Sequence, residues 1–176
     1  MQLLLKQMTD INMKHLYGET ALHQAASNGH ETMVRLLLEH KADVTMMHAY
    51  GETALHQTAS NGHEAVVQLL LEHKADVNMK KESGETALYQ AAGNGHHLAV
   101  RLLLEHKADV SVWSCDDMIA LHKAARNGHE SVVRLLLEYQ ADVNMRDKHG
   151  RTALYWAYRN GDKGLARFLR SKGATI

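Results

Sequence analysis

Proline is absent from the 176 residues, and cysteine occurs once, as Cys115. No internal disulfide can form and nothing points to an oxidising compartment. A proline-rich linker or recognition segment is excluded as well. Aromatic residues make up only 5% of the chain, so its core must be built from Ala, Leu, Val and Met, which suits small helices packed closely. Lys plus Arg and Asp plus Glu both number 20, for a formal net charge of zero with neutral His. That balance reads as a mixed, solvated surface and offers no basic stripe for nucleic acid. The longest apolar run near the start, Leu3-Leu4-Leu5, is far short of a signal-peptide core or a membrane span. The expectation is an intracellular, cytoplasmic chain with no membrane or nucleic-acid partner.

What is present is a period. Gly-Glu-Thr-Ala-Leu occurs at Gly18, Gly51 and Gly84, each 33 residues after the last, with a decayed copy at Asp117 and a better one at Gly150. A fixed period of this length is the mark of stacked structural repeats. Counting back from Ile176 gives five units, 12–44, 45–77, 78–110, 111–143 and 144–176, with Met1 to Ile11 left over. In each unit a first helix is expected at Thr20, Thr53, Thr86 and Thr152, because a Thr hydroxyl can accept from an orphan backbone N–H at a helix start. Asn-Gly pairs, from Asn28-Gly29 to Asn160-Gly161, break that helix. The second helix, with Val34, Leu36, Leu37 and Leu38 and their copies, is apolar on more than one face and requires neighbours on both sides.

The linked motifs TALHxAA, NGH and V-x-LLLEHKADVN resemble the ankyrin repeat over residues 12–176. The resemblance implies an all-α solenoid of stacked helix–turn–helix repeats joined by hairpin-like fingers, with the first helices lining a concave groove. The family's Pro is Ala here, at Ala21, Ala54, Ala87, Ala120 and Ala153. Its Gly before Ala-Asp is Lys41, Lys74, Lys107 and Gln140, and only Gly173 conforms. If those sites are left-handed, each non-Gly residue costs about 1 kcal/mol. Met1 to Ile11 matches the tail of a preceding unit, either truncated or serving as a cap. Arg167, Arg170, Ser171 and Lys172 make the last helix polar, as a terminal unit needs.

Fourteen histidines invite a metal reading. They fall into columns: His23, His56 and His122; then His30, His63, His96 and His129; then His40, His73 and His106. Members of one column are separated by a helix-packing distance of roughly 8–10 Å, whereas zinc needs ligands at about 2 Å from one ion. No metal or cofactor is therefore expected. The resemblance assigns the first two columns to hydrogen bonds between units and the third to variable, partner-facing positions. No phosphate loop, GxSxG or HExxH pattern exists, so no catalytic residue is expected.

The fourth unit departs most. Its connection carries Trp113 and Asp116-Asp117, loses the Gly, and replaces the capping Thr with Ile119. Trp113 reads as a binding anchor or as ordinary repeat decay; Asp116-Asp117 could suggest acid–base work or a divalent cation but reads as a polar turn, and both stand with Trp113 among the expected partner-binding residues. Trp156 replaces a column of Gln, with Tyr155 and Tyr158 beside it, and reads as groove lining or as core filling. Lys123, Arg126 and Arg159 make the C-terminal half of the groove basic, whereas Gln24, Ser27, Gln57 and Ser60 leave the N-terminal half neutral. The resemblance adds Leu16, Tyr17, Ala49, Tyr50, Glu82, Ser83, Lys148 and His149 as finger contacts. The expected function is a non-catalytic, monomeric protein-binding module whose partner presents an acidic or aromatic-bearing segment to units four and five. Two alternatives stand beside it. One is a small-molecule site or atypical enzyme using Asp116, Asp117, His122 or His149; the other is a spacer within a larger scaffold.

Overall fold

The structure, a computed structural model, describes residues 10–176. The half-unit expected over Met1 to Ile11 lies outside the described residues except for Asp10 and Ile11. Among the described residues there are ten α-helices and no strand, in five pairs. The first helices are α1 (Ala21–Ser27), α3 (Ala54–Asn61), α5 (Ala87–Asn94), α7 (Ala120–Arg126) and α9 (Ala153–Arg159). Their partners are α2 (Glu31–Glu39), α4 (Glu64–Glu72), α6 (His97–Glu105), α8 (Glu130–Glu138) and α10 (Lys163–Ser171). Each first helix packs on its partner and on the first helices before and after it, and α2, α4, α6 and α8 form a second row. The architecture is an all-α solenoid.

The Thr cap is made at two of the four Thr starts, whereas Thr53 and Thr152 show no side-chain cap bond and Thr152 Oγ1 donates to Thr175 O instead. Thr20 Oγ1 accepts from His23 N–H at 3.4 Å and Thr86 Oγ1 from Tyr89 N–H at 3.3 Å, while Ile119 supplies no side-chain cap to α7. Ala26, Ala59, Ala92, Ala125 and Ala157 are completely buried and let neighbouring first helices approach closely. Leu37, Leu70, Leu103, Leu136 and Leu169, one per pair and 33 residues apart, are at most 1% exposed. Each contributes roughly 1.5–3 kcal/mol through burial, and only because a neighbouring pair covers it.

The second helices of the first four pairs end as the substitutions at Lys41, Lys74, Lys107 and Gln140 imply. All four residues are left-handed, with φ of 64°, 64°, 67° and 65°, and Gly173 takes 85°. At the first site Lys41 N–H donates to Leu38 O and Ala42 N–H to Leu37 O, both at 2.9 Å. This is a Schellman ending built on a residue with a Cβ.

Polar clasps lock the pairs together. Asn61 Nδ2 and His63 Nε2 both donate to Ser27 O, at 2.9 and 3.0 Å. Asn94 and His96 do the same to Ser60 O, and Asn127 and His129 to Gly93 O. In the last pair Asp162 replaces the His and caps α10 instead, accepting from Leu165 N–H at 2.9 Å. A second clasp skips units. Asn12, Asn78 and Asn144 accept from the backbone of Asp43, Asp109 and Thr175 at 2.8–2.9 Å. Thr45 and Ser111 stand in the same column but donate to Asp43 and Asp109 carboxylates instead.

Candidate functional site

The connections between pairs fold into tight turns that place the finger residues. His48 N–H donates to Glu52 O, Lys81 to Glu85, Ser114 to Met118 and Asp147 to Arg151, at 2.9–3.1 Å. Adjacent turns are joined by Ala49 N–H to Tyr17 O at 2.6 Å and Cys115 N–H to Ser83 O at 2.8 Å. Leu16, Tyr17 and Tyr50 project at the tips, 81%, 69% and 66% exposed. Ala49, Glu82, Lys148 and His149 are exposed beside them, and Ser83 is half-buried. Asp117 occupies the lost Gly position at φ 51°, a conformation Asp tolerates better than most residues.

Trp113 lies off the tip. It is half-buried, packs against the core, and stands 6.4 Å ring to ring from buried His122. The depression it lines with Asp117, Arg146, Asp147 and Lys148 is an open surface hollow of about 400 Å³, not a closed cavity. His122 cannot act as an acid or base there. Its Nε2 donates to Met145 O at 2.8 Å, and its Nδ1 accepts from Ile119 N–H at 3.3 Å. Asp116 is exposed and pairs with Lys148 at 3.4 Å. Among the described residues no three His, Cys, Asp or Glu side chains converge as metal ligands.

The histidine columns have distinct structural duties. His23 and His56 repeat the arrangement of His122, with Nε2 donating to Glu52 O and Glu85 O and Nδ1 accepting from the capping Thr. A carbonyl can only accept, so Nε2 carries the proton and the ring is neutral. Burial lowers the pKa of all three below the ordinary His value, against the backbone acceptors that favour the charged form. His40, His73 and His106 turn Nδ1 back to Leu36 O, Leu69 O and Leu102 O at 2.8–2.9 Å. Each of these carbonyls also accepts the backbone N–H of the same His, so the ring adds a second bond at its own helix end, a contact the sequence columns did not indicate.

The row of first helices carries a charge pattern that the neutral total conceals. None of α1, α3, α5, α7 and α9 contains an Asp or Glu, and their only Lys or Arg residues are Lys123, Arg126 and Arg159. Trp156 is the focus of that set. It is only 3% exposed, so it fills the core while its ring forms a platform. The guanidinium carbons of Arg126, Arg151 and Arg159 lie 5.0, 4.4 and 5.3 Å from its centroid. Each such cation–π contact contributes about 0.5–1 kcal/mol at an exposed site. Lys123, one turn before Arg126, lies 5.6 Å over Tyr89.

Arg151 escaped sequence reading, although a signal existed: it stands in a column that holds Glu19, Glu52 and Glu85 in the first three units and Met118 in the fourth. It is anchored by Asp147, whose carboxylate accepts from Arg151 Nε at 2.8 Å. Burial alone would raise the Asp147 pKa, but hydrogen bonds from Arg151 and His149 outweigh it and hold the carboxyl below its usual range. Three pairs earlier the position of Arg151 is taken by Glu52, which holds a different network. Glu52 takes Lys81 at 3.0 Å, Gln90 at 2.9 Å and His48 at 3.2 Å. Burial pushes Glu52 up, and these three partners more than reverse it.

Arg126 and Arg159 are exposed and form no ion pair among the described residues. Two acids of these units are committed elsewhere: Asp147 to Arg151, and Asp116 to Lys148. The site is thus a short cationic patch on an aromatic base, flanked by projecting turns.

No helix among the described residues is long and apolar enough to cross a membrane. No curated protein matches the chain. The family model for ankyrin repeats, in its three-copy form, matches residues 1–81, 40–113, 76–147 and 112–176. The stacked helix pairs and the model matches agree, and the chain belongs to the ankyrin-repeat family, whose members are typically non-enzymatic and generally serve as protein–protein interaction modules.

Proposed function

We propose that this chain is a non-catalytic protein-binding module, built of units 12–44 to 144–176, that receives an acidic segment of its partner on the first-helix row. The observation that carries this reading is the charge segregation. Five first helices hold three cations and no carboxylate, and two of those cations stack on Trp156. A stacked guanidinium has already lost much of its rotamer freedom, so less is forfeited when its N–H edge meets a carboxylate. Leu16, Tyr17 and Tyr50, exposed at the turns, add the apolar contact that a charged patch alone lacks.

The test uses a partner recovered by affinity capture and then purified. Arg126→Gln with Arg159→Gln should weaken its binding at least tenfold, and Tyr17→Ala with Tyr50→Ala by a smaller factor. Unchanged affinity in both double variants, with helix content retained, refutes the reading.

A further inference from the structure

The cations on the first-helix row are confined to one end. In the first three pairs the two columns that hold them carry Gln24 and Ser27, Gln57 and Ser60, and Gln90 and Gly93, all uncharged. Only in the last two pairs do Lys123, Arg126, Trp156 and Arg159 replace them. A long polyacidic tract or a nucleic-acid strand needs cations along its whole path. The anion that fits here is compact and carries more than one charge.

The geometry sharpens the description. Arg126 and Arg159 come from adjacent first helices, yet both guanidiniums converge within 5.3 Å of one indole centroid. The third guanidinium, that of Arg151, is held by Asp147, and so contributes a fixed position rather than a free charge. Lys123 adds an ammonium one helical turn from Arg126, lying over Tyr89. Two guanidiniums with no ion-pair partner among the described residues, both held over one indole, can offer several N–H donors to the oxygens of one anion. One carboxylate, with a single charge and two oxygens, leaves part of this set unmatched. A phosphoryl group carries about −1.5 to −2 charge near neutral pH and three acceptor oxygens.

We propose that Arg126 and Arg159, stacked on Trp156 and supported by Lys123, form a seat for a single phosphorylated side chain of a partner peptide. This rests on the protein-binding reading and names the chemistry that the C-terminal end of the row recognises. The neutral Gln and Ser columns of the first three pairs then face uncharged residues on one side of the phosphoresidue.

The chain carries its own reporters, because it has two tryptophans. Indole N–H signals of the intact 15N-labelled protein are followed by NMR during titration with four blocked peptides. Three are identical except for a central phosphoserine, serine or glutamate, and the fourth is a deca-glutamate. The phosphoserine peptide should shift the Trp156 signal, leave that of Trp113 in place, and bind at least tenfold more tightly than the serine or glutamate peptide. The response should vanish in Arg126→Gln/Arg159→Gln and survive in Arg170→Gln, whose guanidinium lies over Tyr158 instead. Equal or tighter binding of deca-glutamate overturns the phosphoryl assignment while leaving the acidic-segment reading standing. A phosphoserine response that persists in the double variant, or no response to that peptide at all, also overturns the assignment. The partner-affinity experiment judges the broader reading independently.

Discussion

Replacing Lys41, Lys74, Lys107 and Gln140 with Gly should stabilise this protein, and the structure sets the size of the gain. Each residue sits at φ 64–67°, where Gly173 closes the final pair at 85°. An L-residue held in this region is strained by about 1–2 kcal/mol. Gly relieves the strain but adds unfolded-state entropy of about 0.5–1 kcal/mol. The net gain is about 0.5–1 kcal/mol per site, and all four side chains are exposed, so no packing is lost. Sites separated by a whole repeat add nearly independently, giving about 2–4 kcal/mol for the quadruple variant. For a chain of this size each kcal/mol moves Tm by about 2–4 °C, so a rise of about 5–15 °C is expected. Circular dichroism during thermal and urea unfolding measures it. The triple variant Lys41→Ala/Lys74→Ala/Lys107→Ala supplies the control, since it removes the same charges and retains the Cβ; its Tm should barely move. A quadruple Gly variant no more stable than that control would falsify the strain argument.

Three further outcomes follow from particular contacts. Gly95 and Gly128 share φ 77°, but a Cβ on Gly95 would lie 2.6 Å from His129 Nδ1 whereas one on Gly128 meets nothing within 4 Å. Gly128→Ala should therefore cost about 1 kcal/mol in backbone strain and Gly95→Ala clearly more; equal urea midpoints would contradict this. Ser111→Asn should restore the clasp that Asn78 and Asn144 make, adding about 1 kcal/mol, seen as a higher urea midpoint. Buried, neutral His23, His56 and His122 have folded pKa values below the unfolded value. Their contribution is complete above about pH 6.5 and is lost as pH falls through the folded values. Unfolding free energy should drop between pH 7.5 and 5.5, by at most about 1.4 kcal/mol per pH unit for each group, and a flat profile refutes the assignment.

Much of this fold is written locally. The 33-residue echo, the Thr starts, the Asn-Gly breaks and the left-handed sites each depend on residues close in sequence, and each appears where the pattern places it. The site is less legible because its groups meet across repeats. Column position put Trp156 on the first-helix row but could not say whether its ring would project or lie beneath Arg126 and Arg159. Trp113 reads from the sequence as a binding anchor or as ordinary repeat decay; its ring is half-buried against the core, a placement that its position on a connection could not give. The third His column resembles contact positions, and its Nδ1 atoms turn back to carbonyls of their own helices, a direction the column could not give. In each case the missing information was a side-chain direction set by tertiary packing.

The fold itself gives little reason for the cation cluster. Arg126 and Arg159 stand in the last turns of α7 and α9, where a positive charge gains about 0.3–1 kcal/mol from the helix dipole. Stacking on an indole adds about 0.5–1 kcal/mol. Against this, Arg126 and Arg159 are like charges over one ring, and two unit charges several Å apart in water repel by roughly 0.5–1 kcal/mol, while Arg151 is paired with Asp147. The repulsion offsets much of the gain, and Ser27, Ser60 and Gly93 fill the same column in the earlier pairs without harm to the stack. Arg126→Gln should therefore change unfolding free energy by less than about 1 kcal/mol. If it instead cost 2 kcal/mol or more, the cluster would be a structural strut and its charge would say nothing about a partner. A near-neutral result leaves recognition of an anion as the reason for gathering three guanidiniums on one tryptophan.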